Sequence, residues 1–276
     1  MSASVHREGD MEQADDFLAE SQALHALIAD LSPDDFGCRT LFKGWTIGQI
    51  LQHLHYFNRM AVLSLQDRAA FLDEYAQFEE ALRAEKSMLG ITDRLLRGLS
   101  GTALRDTWIA GADALAGAFA DVDPKTRVAW AGPDMSARSS VTARLMETWA
   151  HGQAIWDLLG RQRQDHDRIR NIAHLGVATF CWTFQNRGET PPDIAPHVRL
   201  TAPSGAVWTW GAPSAREQIT GPATAFCQVV AQTRNVADVA LTVTGPNATR
   251  WMAIAQCFAG PPEDPPAPGT RFIAGA

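Results

Sequence analysis

Apolar residues recur at helical spacing over the first two thirds of the chain and alternate only in the last third. Phe17, Leu24, Leu27, Ile28 and Leu31 predict a first helix ending near Ser32-Pro33, and the ten residues before Met11 read as frayed. A loop from Asp34 to Gly44 leads to a second helix whose start is well marked. Thr46 with Gln49 three residues on is a capping box, and Trp45 and Ile50 occupy the flanking staple positions. Ile47, Ile50, Leu51, Leu54 and Phe57 line its inner side.

Residues 68–98 are charged, with Phe71, Tyr75, Phe78 and Leu82 at helical spacing, and predict a helical excursion outside a central bundle. Leu104, Trp108, Leu115 and Phe119 mark a third core helix that stops before Asp123-Pro124; Arg127 to Ser140 reads as a loop around Gly132-Pro133. The stretch Arg144–Gly160 then closes the bundle, with good helix formers, no proline, and a glycine at the C-cap. Leu145, Trp149, Trp156 and Leu159 form an apolar stripe along it, so its polar residues need partners.

A further helix is expected from His166 to Asn186. His197–Thr201 and Val207–Trp210 alternate across Pro203-Ser-Gly205, a hairpin signal. Gly221-Pro222 is expected to open a helix running to Thr233. Leu241–Thr244 reads as a strand, Trp251–Phe258 as a short helix, and Gly260–Pro268 as extended chain. The pattern predicts an α+β protein: a four-helix bundle over 12–187 followed by a small α+β domain over 188–276.

Within the bundle, Glu147 and His151 are four residues apart. At about 3.6 residues per turn they lie within about 40° of each other, one turn apart on one helix face. A carboxylate and an imidazole so placed can share a divalent cation with a ligand from another helix. On spacing alone such a pair is more often an ion pair or a hydrogen-bonded structural pair, and only a third ligand reverses that. His53 sits two turns into the second helix beside Ile50 and Leu54, where a core-edge histidine bonded to a carbonyl is the plain reading. His55, about 200° further round, cannot face the same interior.

Composition removes several classes of function. No run of about 18 apolar residues spans a membrane, and the N-terminus lacks the apolar core of a signal peptide. Cys38, Cys181, Cys227 and Cys257 are too scattered for a disulfide framework or a thiolate metal site, which fits a reducing cytoplasm. Residues 1–160 carry 14 Lys and Arg against 23 Asp and Glu, whereas residues 161–276 carry 10 Arg and 8 acids. An acidic first half without a basic stripe argues against nucleic acid as the main partner.

Gly44-Trp-Thr-Ile-x-x-Ile-x-x-His53 together with Glu147-x-x-x-His151 resembles the DinB-like metal-binding bundle, in its mycothiol-dependent maleylpyruvate isomerase branch. The strings Thr142–Gln153, His174-Leu-Gly-Val177 and Trp208-Thr-Trp-Gly211 resemble one uncharacterised subfamily, whose C-terminal part has carried a label connected with wyosine base formation. The resemblance implies that His53, rather than His55, joins Glu147 and His151 on one metal, zinc before nickel, iron or manganese. Two histidines and one carboxylate leave a coordination position open, as in catalytic sites.

The resemblance further implies a low-molecular-weight thiol, mycothiol or a similar one, as cosubstrate for isomerisation or S-transfer on a small carboxylated electrophile. An arginine of the C-terminal part reaches the substrate in that family. Arg234, in Gln232-Thr-Arg-Asn235, is the candidate, a surface arginine being the equal alternative, and Arg144, one turn before Glu147, is the substitute. Two other readings of the same triad stay open: a hydrolase that activates water, and a non-catalytic metal or small-ligand sensor. Chemistry on tRNA lacks both a basic surface and an iron–sulfur cysteine cluster.

Overall fold

The structure is a computed structural model that describes residues 11–85 and 87–275; the ten residues read as frayed lie outside the described residues. Helix α1 (Glu12–Leu27) buries Phe17 and Leu24. A short 3-10 turn at Pro33–Gly37, capped reciprocally by Ser32 and Asp35, leads towards α2 (Ile47–Gln66). The predicted capping box is present: the Gln49 amide donates to Thr46 Oγ1 at 3.1 Å, and the Thr46 amide donates to Gln49 Oε1 at 2.9 Å. Such a cap stabilises a helix start by about 1 kcal/mol and fixes which face of α2 turns inward. That face carries Ile47, Ile50, Leu51 and Leu54, all fully buried.

The charged stretch forms two helices, α3 (Arg68–Glu85) and α4 (Met88–Leu95), with Ser87 capping the second. It is more than a solvated excursion. Phe71, Phe78 and Ile91 are buried in one cluster with Tyr56 and Met60 of α2 and with Ala129. Tyr56 stacks on Phe78 at 5.4 Å between ring centres. Helix α5 (Gly101–Ala120) then packs on α1 and α2 through Leu104, Trp108, Leu115 and Phe119.

The expected loop before the last bundle helix is instead an antiparallel hairpin, β1 (Arg127–Trp130) with β2 (Gly132–Ser136). Val128 and Ala129 are buried, which supplies the inward side that such short strands need, and Gly132-Pro133 lies at its turn. Helix α6 (Ala137–Leu158) follows and completes the four-helix set of α1, α2, α5 and α6. Compact units divide the chain between Trp149 and Ala150, inside α6; the division expected from sequence near residue 187 falls within the second unit.

In that second unit a 3-10 turn (Asp167–Ile169) precedes α7 (Arg170–Ala178) and α8 (Phe180–Asn186). The single helix expected here is broken at Thr179, whose hydroxyl donates to the carbonyls of Leu175 and Gly176. That back-bonding competes with the helical ladder and ends α7. The predicted hairpin is present as β3 (His197–Thr201) and β4 (Val207–Trp210), in register Val198 opposite Trp210 and Leu200 opposite Trp208.

An unforeseen strand, β5 (Gln218–Pro222), pairs parallel to β3 and takes in the Gly221-Pro222 that the sequence assigned to a helix start. Helix α9 (Ala223–Val230) follows directly, then β6 (Thr242–Thr244) closes the order β4-β3-β5-β6. Helix α10 (Pro246–Ile254) begins earlier than the expected Trp251. Pro246 at its first turn has no amide to satisfy, and Glu217 accepts from the amides of Asn247 and Ala248 at 3.3 and 2.9 Å. Gly245 makes this possible: its φ is +96°, and a Cβ there would lie 2.1 Å from the Arg216 carbonyl oxygen. Among the described residues no helix is long and apolar enough to cross a membrane.

Candidate metal centre

The capping box sets the phase of α2, and that phase separates its two histidines. His55 lies against α5, where its Nδ1 is 3.2 Å from the position a Cβ would take on Gly111. His53 turns instead to α6, with Nε2 3.1 Å from Glu147 Oε2. The turn of α6 that follows brings in His151, and one ligand atom from each of His53, Glu147 and His151 lies within 4.8 Å of the other two. His53 is buried, while Glu147 and His151 are half-buried.

This donor set suits one divalent cation. Bonds of about 2.0–2.2 Å at a tetrahedral angle place donors about 3.3–3.6 Å apart. The His53–Glu147 pair, at 3.1 Å, is slightly closer than that spacing, and the His151 donor lies within 4.8 Å of both. Two imidazole nitrogens and one carboxylate oxygen are borderline to hard donors, accepted by zinc, nickel, iron(II) and manganese.

Aromatic rings hold His53 from two sides. Trp45 meets it edge-on with ring centres 5.5 Å apart, and Phe57, one turn along α2, lies 4.9 Å away. Phe42 in turn packs edge-on against Trp45 at 5.0 Å. Trp45 is thus both the staple residue of α2 and a wall of the site. The sequence reading gave it only the first role.

Of the two arginines singled out from sequence, Arg144 lies in the interior of the first unit, 1% exposed. Its Nε donates to Asn58 Oδ1 at 3.0 Å, and its guanidinium carbon stands 5.8 Å from the Phe57 ring centre. Burial pulls its pKa down to about 10, while the charge of Glu147 works the other way. Arg234 is also buried, but it is committed to Asp157 through both arms of its fork, at 2.8 and 2.7 Å, and to the Thr233 carbonyl. Asp157 additionally accepts from Gln153 at 2.9 Å. Neither Asn58 nor Asp157 stood out in the sequence. A buried arginine demands such a partner, but nothing in the spacing says which residue supplies it.

The family described as the mycothiol maleylpyruvate isomerase N-terminal domain matches residues 17–156. The uncharacterised proteins Rv0036c and MT0041, from two strains of Mycobacterium tuberculosis, are 39% identical over 250 residues, covering 90% of this chain and 95% of their own. Among solved structures, that of the mycothiol-dependent maleylpyruvate isomerase superposes with a TM-score of 0.54 at 16% identity, over 86% of this chain and 94% of the other. An alanine mutant of that enzyme gives 0.53. At such identity the likeness shows the fold.

Proposed function

The chain belongs to the family of the mycothiol maleylpyruvate isomerase N-terminal domain, and from that premise we propose a metal-dependent enzyme that activates a low-molecular-weight thiol. The thiol is mycothiol or one like it. The reaction is isomerisation or S-transfer on a small carboxylated electrophile. The observation that carries this reading is the convergence of His53, Glu147 and His151 within 4.8 Å, on two helices of the bundle.

His53, Glu147 and His151 would hold a divalent cation, zinc in the first instance, and its positive charge would favour thiolate over thiol at neutral pH. His53 and His151 must offer neutral nitrogens, and Glu147 an ionised oxygen, for that charge to be held. Trp45 and Phe57 pack against the His53 ring and give it an apolar surround. The thiolate then adds to one carbon of an activated double bond. A C–S bond forms, the π pair moves onto the neighbouring electron-withdrawing group, and the former double bond rotates. Return of the electron pair expels the thiolate and leaves the other geometric isomer. In S-transfer a leaving group departs instead. Arg144 or Arg234 would hold the acceptor carboxylate; Arg234 would have to release Asp157 to do so, which makes Arg144 the better placed of the two.

Metal analysis of the purified protein, with a turnover screen using mycothiol, glutathione and bacillithiol, tests the proposal. We expect about one equivalent of metal and turnover that needs both metal and a thiol. Turnover of an ester or amide without any thiol would favour the hydrolase reading. Metal binding with no turnover on any thiol would favour the sensor.

A further inference from the structure

Around Arg144 the interior of the first unit is rich in hydrogen-bond donors. A guanidinium has donors only, so Asn58 must turn its oxygen towards Arg144 Nε, which directs the Asn58 amide nitrogen away. Neither that nitrogen nor Arg144 Nη2 meets an acceptor among the described residues. Both side chains are 1% exposed, so bulk water does not satisfy them. Ser140 and Thr148, one turn to either side of Arg144 on the same stripe of α6, are fully buried hydroxyls that also lack partners there. The stripe runs into the metal-ligand turn. The Phe57 ring neighbours both groups, its centre 5.8 Å from the guanidinium carbon and 4.9 Å from the His53 ring centre.

We propose that Arg144 Nη2 and Asn58 Nδ2 form a carboxylate subsite beside the His53–Glu147–His151 group, which seats the substrate's carboxylate along the face of Phe57. This rests on reading the site as one for a small carboxylated acceptor, and it names the residues that select that class. A planar oxyanion has two oxygens to accept from two nitrogen donors and answers the buried positive charge, which a water molecule does not. The choice of Asn58 over aspartate points the same way. An aspartate would accept from both Nε and Nη2 of Arg144 and close the fork, whereas asparagine orients the guanidinium and leaves one arm for a ligand.

The test uses thermal unfolding of the full-length, metal-replete protein in sodium acetate, against sodium chloride of equal ionic strength and against acetamide. We expect acetate, and not acetamide, to raise the wild-type midpoint in a saturable way. Asn58→Asp supplies the missing carboxylate internally, so it should unfold at a higher temperature than wild type and gain nothing more from acetate. Arg144→Met should also lose the acetate effect while metal content stays unchanged; if it does not fold, Asn58→Asp decides alone. The absence of an acetate shift in wild type, or one that persists in Asn58→Asp, overturns the subsite. Because no thiol or turnover enters these measurements, an acetate shift with no thiol chemistry would defeat the proposed reaction and leave the subsite standing.

Discussion

Arg234 grips the carboxylate of Asp157 through both arms of its guanidinium, and both side chains are buried. The pair ties the start of the 3-10 turn Val236–Asp238 region to the last turn of α6, and the Ala274 amide donates to the Asp157 carbonyl as well. Taking two charges out of water is costly, so a bidentate pair of this kind is strongly asymmetric to mutation. Removing one partner strands the other and costs about 3–5 kcal/mol, while replacing both with apolar residues of similar volume is often near neutral. We therefore expect Arg234→Ala to destabilise by about 3 kcal/mol or more, and Arg234→Met with Asp157→Leu to recover most of the loss. Urea unfolding of the three variants measures this. A loss of turnover in Arg234→Ala at full stability would instead mark a direct role with substrate.

Gly176 belongs to the His174-Leu-Gly-Val177 string, and the structure gives a packing reason for it. A Cβ at this position would lie 2.7 Å from Val230 Cγ2 and 3.0 Å from Val230 Cβ, where α9 crosses α7. Helix propensity alone favours alanine over glycine by about 1 kcal/mol. Overpacking opposes it by about 1–3 kcal/mol, because the contact involves a stiff β-branched side chain at its Cβ. Gly176→Ala should lower the unfolding midpoint, and Val230→Ala in the same chain should restore part of it. A stabilised Gly176→Ala protein would mean that α9 moves away freely.

What the sequence disclosed depended on how local the signal was. The capping box at Thr46 and Gln49 and the hairpin around Pro203-Ser-Gly205 rest on interactions within a few residues, and both are present with their expected partners. Strand β5 was missed because its parallel pairing to β3 is non-local, and Gly221-Pro222 taken alone is an ordinary helix lead-in. The Arg127–Ser136 hairpin was missed because only Val128 and Ala129 carry its buried side. At the site, helical phase brought Glu147 and His151 together, and family resemblance supplied His53. Asn58 and Asp157 were invisible because a partner for a buried arginine is chosen by tertiary contact, 86 and 77 residues away in sequence.

The metal-ligand group makes its own prediction about occupancy and acid. Each of His53→Ala, Glu147→Ala and His151→Ala should lower bound metal, and Glu147→Ala should do so without unfolding the bundle, since its side chain is only half-buried. The sign of the pH effect follows from competition for a lone pair. An imidazole nitrogen binds either a proton or a cation, so lowering the pH favours release. Free imidazole side chains titrate near about pH 6.5, and coordination delays protonation, which places the loss of metal at about pH 6–5. A cation bound only by the folded chain stabilises it by about 2.7 kcal/mol at a hundredfold excess over Kd, so the unfolding midpoint should fall over the same pH interval. Metal content after equilibrium dialysis across that interval, read beside the melting curve, checks both halves. Full retention at about pH 4.5, or an unchanged metal content in Glu147→Ala, would show that other ligands hold the ion.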